Sequence, residues 1–149
     1  MSELSTAELR ELGSTHLARL LLRALRQVER WSVDRLHDRG HVGVRIGHIP
    51  VFANIDGTGT RITDLAARAE MTRQMMGRLV RELEEQGYVT SRTDPADQRA
   101  VVVTLTGRGW QFCRDANEVV AEMEAHYAEL LGREGVAHLR TGLIRLAAG

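Results

Sequence analysis

The chain has 149 residues, 43% hydrophobic and 27% charged, with a formal net charge of zero. That is the length and composition of one ordinary globular domain, and it excludes a disordered, fibrous or disulfide-stapled chain. No apolar run approaches the roughly 20 residues that span a bilayer, and zero net charge leaves a polyanionic partner open, since such a partner feels the local field within about 8–10 Å.

The first 25 residues intersperse Glu3, Glu8 and Glu11 with apolar positions. This predicts an amphipathic helix rather than a charged-then-apolar leader, and with it a cytoplasmic protein. From about Ser14 to His37, Leu17, Leu20, Leu21, Ala24, Leu25, Val28, Trp31 and Leu36 recur mostly at three- and four-residue steps, a second and longer helix. Gly40 and Gly43 interrupt it, and a short helix near Ile46 to Ile55 takes Pro50 in its first turn.

The middle block alternates differently. Asp56 to Thr60 reads as a loop and Arg61-Ile62 as a very short strand. Thr63 is the predicted N-cap of a helix over Asp64 to Arg68, and Thr72 that of the next helix. In that second helix Met76, Leu79, Val80 and Leu83 form one apolar stripe, and Gly87 supplies the stop. Two β-rich runs follow, YVTSRT and AVVVTLT, around the turn DPADQR. From Gly107 onward the chain is helical again, broken at Gly132 and Gly135, with Val136, Leu139, Leu143, Ile144 and Leu146 in a last short helix. Cys113, the lone cysteine, falls inside this helical pattern and reads as an inert buried thiol.

Helix, turn, helix and hairpin in that order predict a winged helix-turn-helix over about residues 56–106 of a single domain. The second helix of such a unit lies in the DNA major groove. With the apolar stripe inward, Thr72, Arg73, Gln74, Gly77, Arg78 and Arg81 fall on the outer face or at its start. Arginine suits guanine edges and glutamine suits adenine. Gly77, unfavourable in mid-helix by about 1 kcal/mol against alanine, fits either a close approach to phosphate or a packing contact. Glu82, Glu84 and Glu85 read as solvated groups away from the groove, with Arg78–Glu82 as a supporting helix pair. Arg92 and Arg99 flank the hairpin tip, with Asp97 placed to orient the Arg99 guanidinium. On residues alone, these are either minor-groove arginines or exposed charges on an ordinary turn.

Taken together, these residues resemble the MarR family of winged-helix regulators. The matching positions are Leu65-Ala66, then Leu79, Val80, Leu83-Glu84 and Gly87-Tyr88-Val89, then Arg92, Asp94, Asp97, Arg99, Leu105-Thr106 and Gly109. The resemblance implies a mostly α fold with a small β-hairpin wing. It also implies a homodimer held by helices in residues 1–40 and 107–149, and a palindromic double-stranded DNA operator. It further implies Arg99 as a minor-groove contact supported by Asp97, and a repressor released by a small aromatic or anionic effector. The recognition helix carries Met75-Met76-Gly77 where the family often has small hydroxyl residues, so the operator sequence does not carry over.

For an effector, Trp31, His37, His41, Arg45 and His48 lie in the right part of the chain, although core and surface roles account for each. A metal-responsive variant of the same fold would draw on His37, His41, His48, His126 or His138, without the cysteine or glutamate clustering that marks a metal site. The expectation is therefore no metal, no cofactor and no enzyme, since no GxSxG elbow, phosphate-cradling glycine loop or metalloprotease helix is present. A winged helix used only for protein contact is the remaining alternative, against which Arg73, Arg78, Arg92 and Arg99 argue.

Overall fold

A computed structural model describes residues 5–14 and 16–149. Its elements are α1 (Thr6–Ser14), α2 (Leu17–Asp38), a 3₁₀ turn (Ile46–His48), α3 (Ile49–Asn54), β1 (Thr60–Arg61), α4 (Ile62–Arg68), α5 (Arg73–Glu85), β2 (Val89–Asp94), β3 (Asp97–Leu105) and α6 (Gly107–Ala147). The protein is thus mostly α-helical with one small antiparallel sheet of strand order β1-β3-β2. Among the described residues no helix is long and apolar enough to cross a membrane. The expected N-terminal helix corresponds to α1, while its Glu3 lies outside the described residues.

The sheet corrects two local expectations. Thr60 pairs with Val103 and Arg61 with Val102, which holds Arg61 extended and lets the helix start directly at Ile62. Arg61 is consequently the N-cap of α4, and Thr63 sits inside the helix rather than capping it. The hairpin turn is also tighter than the Asp/Pro-rich run implies. Only Pro95 and Ala96 lie outside the strands, and a register shift at Thr93/Asp94 brings Asp94 opposite Asp97.

One core joins the helices to the sheet. Leu36 of α2, Val51 of α3, Leu65 of α4, Met76, Val80 and Leu83 of α5, Val103 of β3, and Phe112 and Val119 of α6 are all buried together. Phe52 stacks on Phe112 at 4.0 Å between ring centroids, and Tyr88 meets both rings edge-on. Gly109 is required here: a Cβ at this position would lie 2.2 Å from the Tyr88 carbonyl oxygen. Thr106 caps α6 by accepting the Gly109 N–H at 3.1 Å and donates its hydroxyl to the Gly87 carbonyl at 2.6 Å. The end of α5 and the start of α6 therefore meet where Gly87 and Tyr88 contact Thr106 and Gly109.

Within α6 the break falls at Gly132 alone, which adopts φ 72° and ψ 161°; Gly135 stays helical, contrary to the paired break expected from sequence. The chain folds back at this point, so that Arg140 reaches Glu124 at 3.1 Å. A run of apolar side chains is left in solvent. Leu139 and Leu143 are exposed, as are Leu17 and Leu20 on α2.

Candidate nucleic-acid interface

Helix α5 is seated by its apolar stripe: Met76, Leu79, Val80 and Leu83 are all buried. A left-handed Glu70, φ 53°, turns the chain out of α4, and the Thr72 hydroxyl then accepts the Met75 N–H at 3.1 Å. Once these positions are fixed, helical spacing leaves Thr72, Arg73, Gln74, Arg78 and Arg81 exposed and Gly77 half-buried. Gly77 is not needed for packing, because a Cβ there would meet Arg81 at 3.6 Å and Ile62 at 3.8 Å, ordinary contact distances.

The wing is braced from its base. Arg61 on β1 bonds Asp94 at the end of β2, with Nε and a terminal nitrogen at 2.8 and 2.6 Å from one carboxylate oxygen. The other oxygen of Asp94 accepts the Ala96 N–H across the turn at 2.9 Å. That backbone bond and the Arg61 contact hold the Asp94 carboxyl below its ordinary value. Asp97 plays a related part, but not the one expected. Its carboxylate accepts the backbone N–H of Arg99 at 3.0 Å instead of pairing with the guanidinium. Among the described residues Arg92 and Arg99 have no carboxylate within 4 Å. Both wing aspartates thus fix the tip backbone and leave the two arginines unneutralised.

Three glutamates of α5 read as solvated from sequence; two of them are engaged. Glu84 accepts the Ser91 N–H of β2 at 2.7 Å. Glu82 receives Arg78 at 3.0 Å and His48 at 2.9 Å, and also pairs with Arg45. The His48 contact, then Arg78, draws the Glu82 carboxyl below its usual range, against an opposing effect of burial.

Of the histidines suggested for an effector or metal, His126 and His138 are exposed and His37 lies in the last turn of α2, as surface or helix-terminal groups would, but His41 and His48 are buried. His48 is fully buried; its Nδ1 accepts the Arg45 N–H at 3.0 Å, so the ring proton is on Nε2, facing Glu82. His41 is buried between Tyr88, whose hydroxyl bonds Nδ1 at 2.9 Å, and Asp115, which accepts from Nε2 at 2.8 Å. Burial pushes the Asp115 carboxyl up, but the hydrogen bonds from His41 and Gln111 outweigh it and leave the carboxyl below its ordinary value. His37 donates Nε2–H to the Val44 carbonyl at 2.9 Å. Among the described residues no three His, Cys, Asp or Glu side chains converge as a metal would need. Trp31 lies apart, half-buried under the Arg35 guanidinium at 3.6 Å. Arg45 and His48 therefore meet through Glu82, while Trp31 and His41 join neither them nor each other. Cys113 packs half-buried against the core, where burial pushes its thiol pKa up.

What sequence reasoning misses is the partners: Arg61 for Asp94, His48 and Arg45 for Glu82, and Tyr88 with Asp115 for His41. Only the i,i+4 spacing of Arg78 and Glu82 is a local signal.

Comparison with known proteins bears on this arrangement. A family model described as MarR family matches residues 42–100. No curated protein sequence matches the chain. Among solved structures, a MarR-family transcriptional regulator from Rhodococcus sp. RHA1 is 24% identical, with a TM-score of 0.69 over 89% of this chain and 96% of that one. A mutant MarR from E. coli complexed with operator DNA is 20% identical, with a TM-score of 0.74 over 97% and 99%. AbsC, a MarR-family transcriptional regulator from Streptomyces coelicolor, is 20% identical, with a TM-score of 0.68 over 99% and 97%. At these identities the structural likeness is one of fold.

Proposed function

We propose that this chain, whose residues 42–100 match a MarR-family model, is a transcriptional regulator of that family and not an enzyme, and that it binds double-stranded DNA sequence-specifically, as a homodimer on a palindromic operator. The observation that carries this reading is the division of α5 and the wing into a buried seat and an exposed, arginine-bearing face. Arg73, Gln74 and Arg78 would take base edges in the major groove, with Thr72 at the helix start and Gly77 allowing close approach to the backbone. Arg92 and Arg99, left unneutralised by Asp97, would enter the minor groove, where negative potential is strongest over narrow A·T tracts.

The dimer follows from surface that a lone protomer leaves wet. Leu17 and Ile144 are each 63% exposed, and Leu139 and Leu143 lie on the same terminal helices. A second copy of the chain buries such faces by symmetry. As part of the same proposal the protein is a cytoplasmic repressor released by a small molecule. The candidate effector residues Trp31 and Arg45 line separate cavities, and His41 and His48 are buried in hydrogen bonds of their own. An apolar groove of about 390 Å³ between α2, α3 and α6, lined by Val33, Leu36, Ile49 and Val119, is the better seat for it.

Selection of bound sequences from a random duplex pool tests the central part. The expected product is an inverted repeat with half-sites about one helical turn, 10–10.5 base pairs, apart. Recovery of no preferred sequence at moderate salt would reject sequence-specific binding.

A further inference from the structure

Glu82 lies one turn beyond Arg78 on α5, and both of its carboxylate oxygens are engaged. Oε1 accepts Nε–H of Arg78 at 3.0 Å; Oε2 accepts Nε2–H of His48 at 2.9 Å and also takes the Arg45 guanidinium. His48 is fully buried, and the Arg45 N–H on its Nδ1 sets its tautomer. The carboxylate is thus anchored from behind by a buried ring in the 3₁₀ turn. In front it holds an arginine whose side chain is 72% exposed.

An isolated i,i+4 pair on a helix is worth a few tenths of a kcal/mol and leaves both side chains free to part. Here the anchor on the far side fixes the Glu82 rotamer whether or not Arg78 is in place. Arg78 is held through Nε, which leaves its terminal nitrogens without a protein carboxylate among the described residues. Those are donors a guanine edge can take. Neither Arg73 nor Arg81 of the same helix has a carboxylate within 4 Å among the described residues. Long side chains lose rotamer freedom on binding, and ordering one beforehand moves that cost into folding. A carboxylate this close to a polyanion also repels it, whatever the sequence.

We propose that Glu82, braced by His48 and Arg45, is a positioning residue that pre-orders Arg78 and so raises sequence discrimination at the expense of non-specific affinity. The proposal rests on the reading of α5 as the DNA-contacting helix. Its signature is a change of opposite sign on two kinds of DNA, which a merely structural role cannot produce.

The test measures binding of the full chain to its selected operator and to a scrambled duplex at one salt concentration. Glu82→Gln is expected to tighten binding to the scrambled duplex and to lower the specific-to-non-specific ratio about three- to tenfold, with no loss of folding by circular dichroism. Glu82→Asp keeps the charge but withdraws the carboxylate by one methylene; it should lose discrimination without the non-specific gain. In an Arg78→Ala background, Glu82→Gln should change the ratio no further. Arg78→Ala destroying discrimination while both Glu82 variants keep it overturns the positioning role alone. Arg78→Ala leaving discrimination intact overturns the reading of α5 beneath it.

Discussion

Replacing Gly77 by alanine separates what the fold needs at this position from what the DNA needs. The free protein has room for the methyl group, whose nearest neighbours would be Arg81 at 3.6 Å and Ile62 at 3.8 Å. Gly77 sits inside α5 with helical backbone and no positive φ. Alanine should therefore stabilise the helix by about 1 kcal/mol, some of it by restricting the unfolded chain. For a domain of this size that raises the melting temperature by about 2–4 °C. On DNA docked as proposed, the same methyl would project where the helix backbone meets the groove. If it lifts α5 enough to break one bidentate base pairing, affinity falls about tenfold or more. Thermal melting and an anisotropy titration on the selected operator read the two effects independently. A melting temperature that drops would refute the packing argument, and unchanged operator affinity would refute the close approach of Gly77 to DNA.

Three other perturbations address the wing, the proposed dimer and the buried triad. Arg99→Ala should weaken operator binding markedly with melting unchanged, because Asp97 holds the tip through the backbone N–H and not through the guanidinium; equal affinity by gel shift would remove Arg99 from the interface. Leu143→Asp places a charge on an apolar side chain that is 43% exposed on the protomer, so sedimentation should show monomers, and a surviving dimer would place the interface elsewhere. Asp115→Ala strips the partner from the buried His41 and should cost about 3 kcal/mol in urea denaturation. Since the folded Asp115 carboxyl lies below its ordinary 3.8, the wild-type contribution is present above that value and disappears as pH falls through the lower folded one. A variant with the same acid limb as the wild type would show that Asp115 does not carry it.

The sequence reads most truly where a feature depends on neighbours three or four residues away. The α5 stripe, the Thr72 cap, Gly87 after the helix and the hairpin strands all appear where their spacing puts them. Gly87, with φ 78°, is left-handed as a helix stop requires. Several misreadings come from tertiary contact overriding local preference, and one from the local geometry of a tight turn. Thr63 has the chemistry of a cap, yet pairing of β1 with the distant β3 pulls the helix start back to Ile62. Asp97 is close enough in sequence to reach the Arg99 guanidinium, but a two-residue turn points its carboxylate at the backbone. His41 and Asp115 are 74 residues apart, and Arg61 and Asp94 are 33 apart. No local period carries such pairs. Glu82 escapes local reasoning in the same way, since its place beside Arg78 is visible in sequence and its anchor on His48 is not.

DNA binding as proposed requires α5 and the wing to meet a duplex through unneutralised arginines. The slope of log affinity against log salt on the selected operator measures that directly, because each phosphate neutralised contributes about −0.9. A steep negative slope is expected. It should become shallower by about one unit for each phosphate that Arg92→Ala or Arg99→Ala leaves without its arginine. A slope near zero in the wild type, or one that neither substitution alters, would contradict this mode of binding.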